Sequence, residues 1–291
     1  LLSTRYFYNF MEFDVKPVRL AILGLGTVGG GVLKLLQLNA TEIKRRTGRE
    51  IKITYVGTRR PRPDLNLDPS IKQSADLMDI VRQPDVDVVI EVMGGIHPAK
   101  DILIEAINHG KQVVTANKAL LAEHGNELFK AADDHHVQIA YEAAVAGGIP
   151  IIKVLREGLA ANSIEWLAGI INGTGNFILT EMREKGRTFA DVLKEAQELG
   201  YAEADPTFDV EGIDAAHKLT LLASIAFGIP LQFSKVYTEG ISKITAQDVK
   251  YAEDLGFRIK HLGIARRAET GIELRVHPTL IPEEQLLANV N

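Results

Sequence analysis

The stretch that decides the fold runs from Val18 to Gly29 and reads VRLAILGLGTVG. Its first six residues are aliphatic or β-branched apart from Arg19, which is typical of a buried strand. The next six contain three glycines in the pattern GxGxxG, and apolar residues with helical spacing follow over Val32–Leu36. The stretch therefore predicts a strand, a tight glycine turn and a helix.

The glycines of this turn suit a bound dinucleotide. The first permits the tight turn, the second lets a pyrophosphate approach the backbone, and the third lets the helix pack closely. GxGxxG alone is weak evidence, so the interpretation depends on its position directly after a strand, and an incidental glycine-rich turn is the alternative. The candidate nucleotide contacts are the turn residues themselves: Gly24, Leu25, Gly26, Thr27, Val28 and Gly29.

The next predicted strand, Ile51–Val56, bears on the choice of cofactor. Folds selective for NAD often place an acidic residue at the end of this strand to accept the ribose hydroxyls. Here Arg59 and Arg60 stand where that acid would be. A guanidinium suits a 2′-phosphate, so we expect NADP, with Arg59 as the better candidate contact. A solvated basic loop is the alternative.

Strands and helices continue to alternate along the chain. We predict strands over Val86–Val92, Gln112–Thr115 and Val137–Tyr141, and helices over Pro98–His109 and Ala119–Asp134. Repeated strand and helix units imply a doubly wound parallel sheet of the Rossmann-like α/β class.

Two polar side chains follow strands of this sheet, at the edge where ligands bind in such folds. Lys118 comes shortly after Thr115 and is a candidate active-site residue, with an ordinary surface lysine as the alternative. Glu142 precedes a small and apolar segment, residues 143–150, which reads AAVAGGIP. Its carbonyl oxygens and the Glu142 carboxylate could surround a hard monovalent cation. Spacing alone does not establish such a site.

The pattern changes to mixed α+β near Pro150, where we place a domain boundary. The first 16 residues are expected to be a poorly ordered extension, followed by a nucleotide-binding domain over residues 17–150 and a second domain over residues 151–291. For the second domain we predict helices over Ile151–Leu159 and Phe177–Lys185, a strand over Ile164–Ile171, and a hairpin of Arg258–Arg267 with Ile272–His277.

A polar glycine segment, Asn172–Asn176, reads NGTGN and is predicted to form a loop. Small residues with exposed amides are what an amino-acid substrate requires, so Gly173 and Thr174 are candidate substrate contacts. A simple turn is the alternative. Thr188 with Asp191 predicts the cap of a further helix, which Gly200 would end.

The stretch from Gly200 to Lys218 carries charges onto an apolar helix that we expect to end at Gly228. Asp214 and Lys218 are four residues apart and share one face of that helix. Burying charges is costly unless they are paired or bind a ligand. They form either a structural ion pair or part of a polar substrate site, and Glu203 in the preceding loop favours the second interpretation.

Composition excludes several classes of protein. The chain has 291 residues, 46% hydrophobic and 24% charged, as expected for a soluble globular protein of two domains. The net charge of -5 and the lack of a long basic block do not favour nucleic-acid binding. Without cysteine there is no disulfide, thiolate metal site or thiol catalysis, which fits a cytoplasmic protein. The longest apolar run, Leu219–Phe233, is too short to span a membrane.

Several motifs occur along the chain in a fixed order: GLGTVG at 24–29, TANKAL at 115–120, EAAVAGGIP at 142–150, NGTGN at 172–176, and the stretch 200–218. By these motifs and their order the chain resembles the homoserine dehydrogenases, from about Val18 to its C-terminus. The resemblance implies interconversion of L-homoserine and L-aspartate 4-semialdehyde with NAD(P), a step toward threonine, methionine and isoleucine.

The resemblance also implies residue roles. Lys218 would carry the proton, with Lys118 close by, and Glu203 and Asp214 would hold the amino end of the substrate. The second domain would bind substrate and supply most of a homodimer interface. The implied nucleotide contacts are Leu25, Thr27, Val28, Arg59, Lys118 and Gly200. The implied sodium ligands are Glu142 and the carbonyls of Val145, Gly147 and Ile149.

One departure concerns the C-terminus. Family members usually continue past the equivalent of Asn291 with a segment that completes the nucleotide domain and, in many bacteria, a regulatory ACT domain. We expect a chain ending there to lack one wall of the cofactor site and to have impaired activity. The alternatives are a related NADP-dependent oxidoreductase for another small amino or hydroxy acid, and a catalytically silent nucleotide-binding or dimerisation module.

Overall fold

The computed structural model describes residues 15–60 and 62–291. The extension predicted for residues 1–16 lies outside the described residues except for its last two. No helix in the described part of the chain combines the length and the hydropathy that a membrane span requires.

The first half of the chain alternates strands with helices, as the sequence predicts. The strands are β1 (Val18–Leu23), β2 (Ile51–Gly57), β3 (Lys72–Ser74), β4 (Val88–Glu91), β5 (Gln112–Thr115) and β6 (Ile139–Ala140). The helices are α1 (Thr27–Leu38), α2 (Ala40–Thr47), α3 (Leu77–Arg82), α4 (Ala99–Asn108) and α5 (Lys118–Asp134).

These six strands form one sheet in the order β3-β2-β1-β4-β5-β6. β1 pairs in parallel with β2 on one side and with β4 on the other, and Leu20 to Leu23 are buried in the core. The strand order and the parallel pairings are those of a doubly wound, Rossmann-like sheet, which confirms the predicted class. In such sheets ligands bind where the strand order reverses, beyond the carboxyl ends of β1 and β4.

The second half of the chain is a mixed α+β structure, also as predicted. Its strands are β7 (Trp166–Gly169), β8 (Tyr237–Thr238), β9 (Phe257–Ala268) and β10 (Gly271–Pro282). Its helices are α6 (Ile151–Lys153), α7 (Gly173–Lys185), α8 (Phe189–Glu198), α9 (Thr207–Val210), α10 (Ile213–Phe227) and α11 (Ala246–Asp254).

The second sheet has the order β7-β9-β10-β8, with β9 and β10 as an antiparallel hairpin and β8 parallel to β10. α10 packs its apolar side, including Leu219 and Ala223, against Ala265 and Val276 of this hairpin. The helix ends at Gly228, which adopts the left-handed conformation with φ of 65°, as the sequence predicts.

Two predicted elements of the second half are wrong in detail. The helix expected over Ile151–Leu159 has only one short α-helical segment, α6, and continues as a π-helical turn over Val154–Gly158. That turn is closed by the Leu159 amide donating to the Val154 carbonyl at 2.8 Å. Residues 172–176 are not a loop, because Asn172 caps α7 and Gly173–Asn176 form its first turn.

The chain divides into two compact units that interleave in sequence. The first comprises the described residues up to Met93 with Asp101–Val114 and His135–Gln138, and the second comprises Gly94–Lys100, Thr115–Asp134 and Ile139–Asn291. The division therefore assigns α5 to the second unit, whereas the boundary predicted near Pro150 would assign it to the first.

Candidate active site

The glycine turn of the first unit is built so that no side chain fits at two of its positions. Gly24 has φ of 99°, and a Cβ there would lie 2.9 Å from the Val92 carbonyl oxygen. A Cβ on Gly29 would lie 1.8 Å from the Gly24 carbonyl oxygen. The turn therefore brings the start of α1 directly against the ends of β1 and β4, and larger residues would push it away.

The start of α1 is suited to an anion. Gly26 caps the helix, and apart from Gly26 and its two neighbours in the chain, no described residue has an atom within 4 Å of where its Cβ would stand. The first turn, Thr27–Gly30, has no acidic residue in its sequence. Backbone amides at a helix N-terminus bind phosphate groups, so this turn could hold a pyrophosphate. Leu25 and Val28 lie in the same turn.

An arginine that the sequence analysis did not single out contacts this turn. The Arg62 guanidinium donates to the Leu25 carbonyl oxygen and pairs with Asp64, with Nη2 2.7 Å from Oδ2. Arg59 is exposed, at the end of β2. The signal in the sequence is the run of three arginines between β2 and Pro63, whose third member is Arg62.

In the second unit, two lysines meet one carboxylate. Lys118 Nζ lies 3.0 Å from Asp214 Oδ1, and Lys218 Nζ lies 2.6 Å from Asp214 Oδ2. Lys218 also donates to the Ile171 carbonyl oxygen at 2.9 Å. The Asp214 side chain is 9% exposed, against 19% for Lys218 and 36% for Lys118. The carboxylate is thus the buried centre of the cluster, and the amines are its accessible part.

Helix starts place these three side chains. Lys118 is the first residue of α5, where the buried Asn117 accepts from the Leu120 amide at 3.2 Å and caps the helix. Asp214 is in the first turn of α10, and Lys218 lies one turn later on the same face. α5 packs against α10, so the cluster is held by two helices.

The Asp214 carboxylate stays ionised despite its burial. Burial raises the pKa of Asp214, but the charge and hydrogen bond of Lys218, the Asn172 hydrogen bond and the charge of Lys118 lower it by more. The resulting pKa is below the ordinary value for an aspartate. The site therefore keeps a fixed negative charge between two amines.

Asn172 is a second residue that the sequence analysis did not select. Its side-chain nitrogen donates to Asp209 Oδ1 at 2.7 Å and to Asp214 Oδ2 at 2.9 Å. Its side-chain oxygen accepts from the Gly175 amide at 2.7 Å. An asparagine directly before a helical pattern is a recognised start signal and could have indicated the cap, but not the contacts with the two carboxylates.

The remaining predicted substrate residues lie near the same helix start. The Thr174 hydroxyl donates to the Tyr201 carbonyl oxygen at 2.9 Å, and Gly173 opens α7 beside it. Gly200 and Glu203 flank that tyrosine in the chain. Glu203 is exposed, and the hydrogen bonds and ion pairs of the described residues do not join its carboxylate to Asp214. Its predicted role with substrate stays a prediction.

A buried histidine adjoins the cluster. His217 is 1% exposed, and its Nε2 atom lies 3.8 Å from Glu123 Oε1 of α5. Its ring packs against Phe233, with ring centroids 4.3 Å apart. Burial lowers the pKa of His217, although Glu123 and Asp214 partly oppose the effect. The ring is therefore expected to be neutral at neutral pH.

In the segment predicted to bind a cation, the Glu142 side chain contacts the backbone about ten residues further along the chain. The Glu142 carboxylate accepts from the Ile152 amide at 2.9 Å and from the Lys153 amide at 3.0 Å, which caps α6. Ala146 and Gly148 both have positive φ, at 47° and 85°. The described residues contain no group of three or more His, Cys, Asp or Glu side chains arranged for a metal ion. The predicted ligands Val145, Gly147 and Ile149 would act through backbone carbonyls.

Two family models match the chain. The model for homoserine dehydrogenase matches residues 150–291, and the model for the homoserine dehydrogenase NAD binding domain matches residues 24–142. A homoserine dehydrogenase of Pseudomonas aeruginosa is 65% identical over 279 residues, which is 95% of this chain and 64% of that protein. The chain thus spans about 64% of the length of such curated relatives.

Solved structures of homoserine dehydrogenases also resemble this chain. A homoserine dehydrogenase from Thiobacillus denitrificans is 63% identical, with a TM-score of 0.92 over 95% of this chain and 64% of that chain. A hyperthermophilic archaeal homoserine dehydrogenase in complex with NADPH is 25% identical, with a TM-score of 0.78 over 94% of this chain and 85% of that chain.

Proposed function

Because the chain belongs to the homoserine dehydrogenase family, we propose that it interconverts L-homoserine and L-aspartate 4-semialdehyde with NADP. The observation that carries the proposal is the contact of Lys118 and Lys218 with the two oxygens of the buried Asp214 carboxylate. This arrangement presents two amines that can exchange a proton with a substrate hydroxyl.

The reaction needs a hydride acceptor and a proton acceptor. NADP held at the glycine turn of residues 24–29 would supply the acceptor for the hydride of the hydroxyl-bearing carbon of homoserine. The hydroxyl proton passes to an amine, for which Lys218 is the candidate general base, and the reverse reaction returns that proton. Two ammonium groups and one carboxylate sum to one positive charge, and loss of one proton leaves the cluster neutral. The cluster therefore accommodates an amine that alternates between charged and neutral forms.

Asp214 has room for one further donor. A carboxylate offers about four lone-pair sites, and three are used by Lys118, Lys218 and Asn172. The remaining site on Oδ1 is available to the substrate ammonium, as predicted for Asp214. Thr174 and Gly173 at the start of α7 would bind the substrate's other end, since a helix N-terminus attracts a carboxylate.

The direct test is NADP reduction with L-homoserine, followed by absorbance, in this chain and in a form extended at the C-terminus to the length of the relatives. Homoserine-dependent reduction in either form supports the proposal. Small alcohols and hydroxy acids without the amino group serve as controls. Equal rates with those controls, or no reduction in either form, would refute it.

The nucleotide is proposed to be NADP because three arginines, Arg59, Arg60 and Arg62, follow β2 and the sequence directly after that strand has no acidic residue before Asp64. Asp64 is itself paired with Arg62. Arg59→Ala should weaken NADP binding about tenfold to a hundredfold, the value of a charge-assisted contact of about 1.5–3 kcal/mol. NAD binding should be nearly unchanged. Fluorescence titration with both nucleotides measures this, and equal losses for both would contradict the assignment to a 2′-phosphate.

We also propose a monovalent cation, probed as sodium, at Glu142 and the carbonyls of Val145, Gly147 and Ile149. Replacing Glu142 by Gln should abolish any rise in melting temperature with sodium, because a ligand that binds only the folded state stabilises it. Each carboxylate oxygen of Glu142 accepts from one amide, so Gln keeps one of the two contacts at the start of α6. Comparing each protein with and without sodium therefore separates the loss of sodium dependence from the partial loss of the cap. Choline chloride at equal ionic strength is the control. A wild-type melting temperature that does not respond to sodium would exclude the site.

A homodimer is proposed through the four-stranded sheet. Trp166 on the edge strand β7 is 66% exposed, and Tyr237 on the opposite edge strand β8 is 56% exposed. Large exposed aromatic side chains are typical of the contact surfaces of oligomers. Sedimentation equilibrium would measure the mass, and a monomer at micromolar concentration would contradict the proposal.

A further inference from the structure

We propose that Asn172 is a positioning residue for the reaction, because it fixes the orientation of the Asp214 carboxylate toward Lys118 and Lys218. The inference rests on the proposed function. It assigns a role to a residue that does not itself need to touch the substrate.

The Asn172 side chain is only 7% exposed and uses every part of its amide. One N–H donates to Asp209 Oδ1 and the other to Asp214 Oδ2, at 2.7 and 2.9 Å. The oxygen accepts from the Gly175 amide at 2.7 Å. A flipped amide would place its oxygen against two carboxylates and its hydrogens against an N–H group, so only one orientation is favourable.

This single amide connects three helices. Asn172 caps α7, Asp209 belongs to α9, and Asp214 belongs to the first turn of α10. Because Asp214 Oδ2 accepts from both Asn172 and Lys218, the carboxylate cannot turn away from Lys218 without also losing the amide. With Oδ2 held in this way, Oδ1 is directed at Lys118, 3.0 Å away.

A neutral donor is required at this position. Aspartate has the same shape and could still cap α7, but it would add a third carboxylate beside Asp209 and Asp214. Serine could also cap α7, but it is too short to bridge the two carboxylates. The two substitutions therefore separate the helix cap from the alignment of Asp214.

Other ionisable groups contribute to the charge around this amide. Asp209 contacts it from α9 and Asp214 contacts it from α10, and Lys218 of α10 contacts the same oxygen of Asp214. Lys118 of α5 contacts Asp214, and the charges of Asp214 and Lys118 both affect the pKa of the buried His217. His261 of β9 lies near the start of α7, where its Nδ1 atom would be 3.7 Å from a Cβ on Gly175.

The experiment compares Asn172→Asp and Asn172→Ser with wild type, in a form for which wild-type homoserine oxidation is established. Both variants should lower kcat about tenfold to a hundredfold, the cost of displacing a reacting group by about 1 Å. In Asn172→Asp the acid limb of the pH profile should also move up by about one unit, because an added carboxylate favours the charged form of the nearby lysines. NADP binding should be unchanged in both.

Asn126→Asp is the matched control, because Asn126 of α5 also uses both the nitrogen and the oxygen of its side-chain amide, but on backbone atoms of Leu231. Asn126→Asp should lower the melting temperature but leave kcat and the pH profile at their wild-type values. The inference is overturned if Asn172→Asp and Asn172→Ser lose only melting temperature and keep wild-type kcat and pH profile. If Asn172→Asp does not fold, the kcat of Asn172→Ser decides alone. An inactive wild type would refute the proposed function instead, so the two failures are distinguishable.

Discussion

Lys218→Arg should retain the folded structure and lose about 10²–10⁴-fold in kcat, the usual contribution of a positioned acid or base. Arginine keeps a positive charge for Asp214 and a donor for the Ile171 carbonyl, both of which Lys218 contacts. A guanidinium does not release its proton near neutral pH, so it cannot serve as the base. The comparison therefore separates the charge of Lys218 from its proton exchange.

Steady-state kinetics and a melting curve on the same sample measure both effects. Lys218→Ala should lose similar activity with a moderate loss of stability, because Asp214 would still pair with Lys118 and Asn172. Lys111→Ala is the control variant. Lys111 is buried and donates to the carbonyls of Gln83 and Val86, so its loss should lower stability without changing kcat. Near-normal turnover by Lys218→Arg would show that Lys218 is only part of a structural ion pair.

Asp214→Asn is expected to have the largest effect on stability. Removing the carboxylate leaves two lysines with no opposing charge between them and places an amide against the Asn172 donors. Breaking a buried ion pair from one side costs about 3–5 kcal/mol. Turnover should fall as well, and KM for homoserine should rise if Asp214 also holds the substrate ammonium. Urea unfolding beside kinetics measures this, and a stability loss below about 1 kcal/mol would contradict the buried network.

The pH dependence of unfolding provides an independent check on Asp214. Its pKa in the folded protein is lowered, so its contribution to stability is present above the unfolded pKa and is lost as pH falls through the folded pKa. Wild type should therefore lose more stability than Asp214→Asn when the pH is lowered below about 4. If wild type and Asp214→Asn lose the same stability as the pH falls, the pKa of Asp214 is not lowered in the folded protein.

The sequence predicted the strands and helices that have strong apolar patterns. β1 and β5 have the predicted extents, and α10 ends where Gly228 predicts. Val18–Leu23 is continuously apolar apart from Arg19, and a glycine commonly follows the last residue of a helix. Weak patterns were less informative. β6 has only two residues, Ile139–Ala140, where five were predicted. The short helices α2 and α9 were not predicted, because they show little apolar periodicity: α2 has no buried residue and its ion pairs join Glu42 to Arg45 and Arg46 within the helix, and α9 has only four residues.

The candidate site was predicted in part for a similar reason. The spacing of Asp214 and Lys218 on one helix is a local property, and their contact could be predicted from the 3.6-residue period. That Lys118 reaches the same carboxylate depends on how α5 packs against α10, across about a hundred residues of sequence. Asn172 and Arg62 were missed because their partners are a distant carboxylate and a backbone carbonyl, which leave no periodic signal.

The interleaving of the two compact units along the sequence limits how chimeric proteins can be made from this chain. A chimera that takes residues 17–150 from a relative, in order to change nucleotide preference, would also replace α5, which belongs to the second unit. The chimera would then carry the relative's residue at the position of Lys118, which contacts Asp214, and the relative's version of α5 packed against α10. An exchange that keeps Thr115–Asp134 from the recipient would alter the nucleotide turn and leave the amine geometry intact.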